Sequence, residues 1–220
     1  MCLDYDAHFF FGRKFKERYI NLSNGVIFVS NAVAKYVLNG KPLQPKHRVI
    51  YNGVKVDDVL PTYRQIPKQI NFGIVGVLQE SKGHHLCVEY FNSILDEYPN
   101  SRLNIYGEGY GFYEKKIRKL VKELDIEGNV VFHGFVKKID EIYSKMDILL
   151  MFSRAEGFGR VTIEAMMRGI PVIGLNSGGT TELIDHGYTG YLFDDKPTFK
   201  NTVLSLLSTD QTFNDIRFNA

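Results

Sequence analysis

The sequence has few of the features that define several classes of protein. Its 220 residues include only two cysteines, Cys2 and Cys87, and neither lies in a CxxC or Cys/His spacing, which excludes a disulfide framework and the usual zinc sites. The 27 basic and 25 acidic side chains nearly balance, so bulk charge does not predict a nucleic-acid partner. The longest apolar run, residues 146–152, is interrupted by Asp147 and falls far short of the roughly 20 residues that span a bilayer. Because the first ten residues carry acids where a signal peptide carries basic residues, we expect a soluble, cytoplasmic protein.

Short apolar segments alternate with amphipathic ones from residue 70 onward. The segments are often β-branched and continuously apolar, as strands covered on both faces tend to be, and they predict strands at 70–77, 102–106, 129–133, 147–151, 171–175 and 190–193. Between them, helical periodicity is clearest over residues 112–124. This alternation predicts an α/β fold with a doubly wound, Rossmann-like parallel sheet. In such a sheet, ligands bind at the carboxyl ends of the strands.

Residues 1–65 have a different pattern and are too few for another doubly wound domain. They predict strands at 26–29 and 47–51, a helix over 34–38 that follows Ser30, and a turn at Asn52-Gly53. We therefore interpret residues 1–65 as the remnant of a preceding domain with an interdomain linker, and residues 66–220 as the ligand-binding domain.

The segment 153–171 (SRAEGFGRVTIEAMMRGIP) carries the most informative motif. It follows a predicted strand and opens a helix, and Gly157 and Gly159 allow tight turns and close approach of a ligand. The first helical turn, 158–162, is expected to present unpaired N–H groups at the positive end of the helix dipole, which suits a phosphate. Glu156 precedes the helix and Glu164 lies within it. Two glutamates at this spacing are by themselves more often a capping acid and a solvated residue, but the glycines and the strand end favour a ligand site.

This run, Glu156-GFGRVTI-Glu164, resembles the E-x7-E motif of the retaining, nucleotide-sugar-dependent glycosyltransferases of the GT-B fold, family 4 or group 1. The segment 169–193 (GIPVIGLNSGGTTELIDHGYTGYLF) is similar to the pattern that follows in that family. VIFVSNAVAKYV, VIYNGV and VGVLQESKG resemble its first-domain end, its interdomain crossing and its first donor-side loop. The resemblance spans residues 17–208. It implies the C-terminal, donor-binding half of a GT-B fold, preceded by a remnant of the N-terminal acceptor domain and lacking the last helix.

The resemblance also implies roles for individual residues. Glu156 would lie near the donor sugar and assist transfer, Lys82 would neutralise the leaving pyrophosphate, and Glu164 would hydrogen-bond the ribose. Val77 stands where the family often has an arginine as a second pyrophosphate cation. The remaining donor contacts are expected from Gly76, from Gly157, Phe158, Gly159, Arg160, Val161 and Thr162, and from a base-binding segment formed by His133, Gly134, Phe135 and Val136.

The implied reaction moves a sugar from a nucleotide diphosphate sugar to a hydroxyl acceptor with retention of configuration, in polysaccharide biosynthesis. The acceptor would be a saccharide or a lipid-linked saccharide, and no metal or other cofactor is expected. The missing domain is expected to provide peripheral membrane contact at the inner face, and the 220 residues alone to transfer little or no sugar. Two alternatives stay open: a nucleotide-binding module or inactive remnant, and a nucleotide-sugar epimerase of the same fold.

Other motif-like segments have plainer interpretations. Asp4-Tyr5-Asp6 matches a metal-binding D-x-D, but no strand precedes it. His84 and His85 are predicted to be surface residues, and residues 107–111 (GEGYG) a turn, because the full GxGxxG spacing is missing. For Glu182, support of a helix amino terminus and contact with the donor are both open.

Overall fold

The computed structural model describes residues 2–3, 13–54, 61–109 and 111–220. The first part of the chain contains β1 (Cys2–Leu3), α1 (Arg13–Leu22), β2 (Val26–Phe28), α2 (Asn31–Val37) and β3 (His47–Val49). The second part contains β4 (Asn71–Val75), α3 (His84–Asn92), β5 (Arg102–Tyr106), α4 (Phe112–Glu123), β6 (Val130–Gly134), α5 (Ile139–Tyr143), β7 (Ile148–Met151), α6 (Arg160–Met166), β8 (Val172–Leu175), β9 (Tyr191–Phe193), α7 (Lys196–Leu206) and α8 (Asp210–Asn219). Two short 3-10 turns lie at Glu80–Lys82 and Gly178–Glu182.

The six strands of the second part form one parallel sheet in the order β6-β5-β4-β7-β8-β9. The prediction of a doubly wound, Rossmann-like sheet is confirmed, and each of its six predicted strands is present with ends within two residues of those expected. The strand order reverses between β4 and β7. A crevice therefore opens at the carboxyl ends of these two strands, where such sheets bind their ligands.

Apolar side chains cover both faces of this sheet. One cluster joins the sheet to α3, α4, α7 and α8, through residues such as Phe91, Ile117 and Phe213. The other joins it to α5 and α6, through Tyr143 and Ala165. Because β7 lies inside the sheet and is covered from both sides, all four of its residues are buried, which explains its continuous apolar sequence.

The first part of the chain packs onto the second. Its strands form a three-stranded parallel sheet, β1-β2-β3, and Ser30 caps α2 by accepting the N–H of Val33 at 3.0 Å. That cap starts α2 at Asn31, three residues before the predicted start. The core of this part also contains Phe158, which comes from the loop after β7. The division of the chain at residue 65 stays a prediction.

The prediction that His84 is a surface residue is wrong, because its side chain is fully buried. The residue before it, Gly83, has a φ of 69°, and a Cβ there would lie 2.3 Å from the carbonyl oxygen of Phe152, so α3 begins directly against the sheet. Burial, together with the charges of Lys82 and His85, lowers the pKa of His84 to about 4. His85 is half-buried, with Nδ1 2.8 Å from the hydroxyl of Tyr113.

The remaining motif-like segments do not form a metal site in the part of the chain that the structure describes. Asp4-Tyr5-Asp6 lies outside the described residues. Within the described ranges no group of three or more His, Cys, Asp or Glu side chains is placed to hold a metal ion. Residues 107–111 connect β5 to α4, and Gly111 is the N-cap of that helix. No helix among the described residues has both the length and the apolar character needed to cross a bilayer.

Candidate functional site

A cavity of about 190 Å³ lies where the strand order reverses. Gly76 and Lys82, which follow β4, form one side of it, and residues of the loop after β7 form another. Val29 and Asn52, from the first part of the chain, also line it. The cavity is therefore at the sheet edge that the fold predicts for ligands, and both parts of the chain contribute to its wall.

Lys82 and Glu156 form an ion pair in this cavity. The Nζ of Lys82 lies 2.9 Å from Oε2 of Glu156, and the two side chains are 30% and 13% exposed. Lys82 ends the 3-10 turn after β4, and its methylenes lie beside Gly76, where a Cβ would be 3.8 Å away. The structure thus joins a cation and a carboxylate from two loops that are 74 residues apart.

The loop after β7 brings further predicted donor-binding residues to the same cavity. Phe158, Gly159, Arg160 and Val161 line it, and Gly159, with a φ of 89°, is the N-cap of α6. Among the backbone hydrogen bonds that the described residues make outside regular helices and strands, none is donated by the N–H groups of Arg160 or Val161, and as the first two residues of α6 they have no helical carbonyl four residues back. These two N–H groups, at the positive end of α6, give the cavity a second source of positive charge beside Lys82, and Arg160 adds a basic residue to its lining.

The expectation of unpaired N–H groups throughout 158–162 is wrong for Thr162. The first turn of α6 is tight, and the N–H of Thr162 donates to the carbonyl of Gly159 at 2.9 Å. The side chain of Thr162 is buried. Gly157 does not line the cavity, and its carbonyl accepts a hydrogen bond from the hydroxyl of Ser30. Contact of Gly157 and Thr162 with a donor stays a prediction.

Glu164 is not among the residues that line the cavity. It is half-buried one turn further along α6, and its Oε2 accepts the hydroxyl of Tyr143 at 2.9 Å. Burial raises the pKa of Tyr143, and the charge of Glu164 and this hydrogen bond raise it further. The tyrosine therefore stays protonated and holds the carboxylate toward α5. The ribose contact of Glu164 remains a prediction.

The predicted base-binding segment lies at the carboxyl end of β6, two strands away from β4. The ring of His133 stacks on Tyr106 with centroids 4.4 Å apart, and its Nε2 lies 2.9 Å from Oδ1 of Asn104. Phe135 is 69% exposed, and the carbonyl of Gly134 accepts the N–H of Gly107. Val136 packs against the core cluster under α5 and α6. None of His133, Gly134, Phe135 and Val136 lines the cavity, so base binding by this segment is also still a prediction.

Sequence reasoning assigned no role at the site to Val29 or Asn52. The Asn52-Gly53 turn was visible, but its position beside the cavity depends on long-range packing. For Glu182, the structure favours support of a helix amino terminus. Its carboxylate accepts the N–H of Ala32 at 2.6 Å, so the helix that it supports is α2.

Residues 62–220 match the family model described as glycosyl transferases group 1. The chain belongs to this family. The match contains the cavity's Lys82–Glu156 pair, and the predicted family and the GT-B-type fold are confirmed. Val29 and Asn52 lie outside the matched residues.

Two curated relatives and one solved structure illustrate the likeness. The Vi polysaccharide biosynthesis protein VipC/TviE of Salmonella typhi is 29% identical over 189 residues, which are 79% of this chain and 32% of that protein. The N-acetyl-alpha-D-glucosaminyl L-malate synthase of Bacillus anthracis is 41% identical over 105 residues, which are 48% of this chain and 27% of that protein. This chain therefore spans about a third or less of either relative. The crystal structure of Anabaena Alr3699/HepE in complex with UDP-glucose is 25% identical with a TM-score of 0.81, over 96% of this chain and 62% of that one.

Proposed function

We propose that the protein containing this chain transfers a sugar from a nucleoside diphosphate sugar to a hydroxyl of a saccharide or lipid-linked saccharide, with retention of configuration. The observation that carries the proposal is the Lys82–Glu156 pair, at 2.9 Å, in a cavity at the strand-order reversal of a group 1 family fold. Because the Anabaena Alr3699/HepE structure contains UDP-glucose, a uridine diphosphate sugar is the first donor to test.

In the proposed reaction the bond between the anomeric carbon and the diphosphate oxygen breaks, and its electron pair leaves with the nucleoside diphosphate. The acceptor oxygen forms the new bond on the same face of the sugar, and its proton passes to the leaving diphosphate. The transition state places growing negative charge on that diphosphate, so fixed positive charge nearby lowers the barrier. Lys82 supplies this charge, and Arg160 supplies a second cation in place of the arginine that the family often has at the position of Val77. No metal is part of the proposal.

Glu156 acts in this proposal as an electrostatic and positioning residue. In the free protein its carboxylate holds the ammonium group of Lys82. When a diphosphate enters, Lys82 turns toward the phosphates and the carboxylate is left beside the sugar, where it stabilises the positive charge that develops at the anomeric carbon. The family's name and the polysaccharide-related relative support a role in polysaccharide biosynthesis. We place this role at the cytoplasmic side of the membrane, with membrane contact through the rest of the protein.

Isothermal titration calorimetry of the 220-residue chain with uridine, guanosine and adenosine diphosphates tests the donor site. We expect one of the three to bind, while the chain alone transfers little or no sugar. Binding of none of them contradicts the proposal and favours the inactive remnant, for which the missing arginine at Val77 is the supporting observation.

Transfer itself is tested with the full-length protein, a labelled donor and a panel of saccharide acceptors. The anomeric configuration of the product, read by proton NMR, decides between retention and inversion. A reaction without acceptor distinguishes a transferase from an epimerase. An epimerase would convert the sugar of the donor under these conditions, and a transferase would not.

A further inference from the structure

The carboxylate of Glu182 joins two parts of the chain that are far apart in sequence. Glu182 is the last residue of the 3-10 turn Gly178–Glu182, which follows β8. Its Oε1 accepts the N–H of Ala32 at 2.6 Å, and its Oε2 accepts the N–H of Asn31 at 3.0 Å and the hydroxyl of Tyr51 at 2.8 Å. The side-chain amide of Asn31 donates to the same oxygen at 2.9 Å. We call Glu182, Asn31, Ala32 and Tyr51 the Glu182 clamp.

The electrostatics of the clamp favour an ionised carboxylate. Burial opposes ionisation of Glu182, but the hydrogen bonds from Ala32, Tyr51 and Asn31 outweigh burial and keep its pKa below the ordinary value. The hydrogen bond to Glu182 in turn raises the pKa of Tyr51. All four donors therefore face a negative charge at neutral pH, and hydrogen bonds of this kind are roughly twice as strong as neutral ones.

The loop that carries Glu156 is held from the same side. The hydroxyl of Ser30, the N-cap of α2, donates to the carbonyl of Gly157. The ring of Phe158 stacks on that of Tyr51, with centroids 5.5 Å apart and planes 26° apart. The two residues that follow Glu156 in the loop, Gly157 and Phe158, are thus fixed by the first part of the chain.

The turn that ends in Glu182 also contacts the backbone of Glu156 directly. The N–H of Gly179 donates to the carbonyl of Glu156 at 2.8 Å. A Cβ on Gly178 would lie 2.8 Å from that carbonyl oxygen, and one on Gly179 would lie 2.6 Å from the carbonyl oxygen of Gly157. Because the two loops touch without room for a side chain, a shift of the turn displaces Glu156.

We propose that Glu182 is a positioning residue for the donor site. By fixing the turn Gly178–Glu182 against α2, it sets the backbone of the loop at Glu156, and so the place of that carboxylate beside Lys82 and of the N–H groups of Arg160 and Val161 that follow. Glu182 acts through these contacts and does not touch the donor. The effect on the donor rests on the proposed function above, whereas the effect on the loop does not.

Hydrogen–deuterium exchange of the 220-residue chain tests the effect on the loop without any ligand. Glu182→Gln keeps the shape of the side chain but removes its charge. We expect exchange in the peptides covering 30–34 and 153–160 to become about tenfold faster, because local opening becomes easier.

The control is Glu127→Gln, an exposed residue just before β6, at the opposite sheet edge, where the same charge is lost. The proposal would be overturned if the peptides covering 153–160 exchanged in Glu182→Gln at the same rate as in the wild type. If that variant does not fold, Tyr51→Phe takes its place under the same criterion, because it removes the hydroxyl that donates to Glu182 and accepts from Asn31.

Calorimetry with uridine diphosphate tests the effect on the donor site. A looser loop also moves the N–H groups of Arg160 and Val161, which follow Glu156 and face the proposed diphosphate, so we expect Glu182→Gln to weaken binding about tenfold. Its thermal unfolding midpoint should fall by only a few degrees below that of Glu127→Gln. Glu182→Asp distinguishes positioning by charge from simple packing. The shorter acid should bind uridine diphosphate better than Glu182→Gln if the charge matters, and worse if only volume matters, which would count against the proposal. A wild-type chain that does not bind uridine diphosphate would contradict that donor, while the exchange result would still decide the role of the clamp.

Discussion

Removing the ammonium group of Lys82 should weaken nucleotide binding by a predictable amount. Lys82→Met keeps most of the chain length and removes only the charge. A hydrogen bond to a charged group contributes about 1.5–3 kcal/mol. Because the side chain of Lys82 is still 30% exposed, solvent screens part of this contribution, and we expect the lower half of that range. The dissociation constant for uridine diphosphate should therefore rise by about 10- to 40-fold.

Glu156→Gln should change the affinity in the opposite direction. In the free protein the ammonium of Lys82 is bound to this carboxylate at 2.9 Å and must leave it to reach a diphosphate. Partly exposed ion pairs of this kind contribute about 0.2–1 kcal/mol, so removing the carboxylate should strengthen binding of uridine diphosphate by up to about fivefold. Sugar transfer by the full-length protein should fall in the same variant, because the carboxylate is needed only when the sugar is present.

Titration calorimetry at two salt concentrations measures both effects. Lys122→Met is the matched control, since Lys122 is an exposed lysine near the end of α4. Wild type and the control should lose affinity equally between low and high salt, and Lys82→Met should lose less because one ionic contact is already absent. Two results would refute the reasoning: unchanged affinity in Lys82→Met, or weakened binding of uridine diphosphate in Glu156→Gln.

Other changes test separate features of the structure. Glu164→Gln should weaken uridine diphosphate binding about tenfold, with little effect from Tyr143→Phe, and equal affinity for wild type and Glu164→Gln would remove the ribose role. Gly179→Ala should lower the free energy of unfolding in urea by about 1–3 kcal/mol, because its Cβ would lie 2.6 Å from a backbone oxygen, whereas Gly128→Ala, with no atom within 4 Å, should be close to neutral. Between pH 6.5 and 4 the unfolded chain protonates His84 and the folded chain does not, so stability should fall as the pH falls through this window. The free energy of unfolding should fall by about 2 kcal/mol from pH 7 to pH 5 because of His84. In His84→Leu this contribution should be missing, so the free energy of unfolding should fall by about 2 kcal/mol less over the same interval.

The sheet was predictable because its strands have unambiguous sequences. Strand β7 (Ile148–Met151) is four apolar residues long, too short for a helix, and the segments around it are bounded by Gly, Pro and polar residues. The strand that follows the E-x7-E helix begins at Val172, directly after Pro171. Local sequence therefore determined the position of both strands on either side of the loop that carries Glu156.

The burial of His84 was missed although the sequence contained a signal for it. Cys87, Val88 and Phe91 are buried on one face of α3, and His84 stands at the i, i+3, i+4, i+7 spacing that places it on the same face. The prediction that both histidines are surface residues did not use this periodicity. His84 is buried because it lies on the apolar face of α3.

The contacts of Glu182 could not be found in this way. Its partner Ala32 is 150 residues away, and neither residue lies in a pattern that indicates the other. Their contact depends on how the three-stranded sheet of the first part packs against the loops after β7 and β8. A motif such as G-G-x-x-E locates a turn, but it does not determine which helix the acid supports.

The family match contains only some of the residues that line the candidate site. The match begins at residue 62 and includes Lys82, Glu156 and the first turn of α6. Val29 and Asn52 also line the cavity, and the hydroxyl of Ser30 donates to the carbonyl of Gly157. These three residues, Val29, Asn52 and Ser30, precede that match. The groups that the proposed function assigns to the diphosphate therefore all lie within the matched residues. The shape of the cavity beside Val29 and Asn52 therefore depends on residues that the motif does not contain.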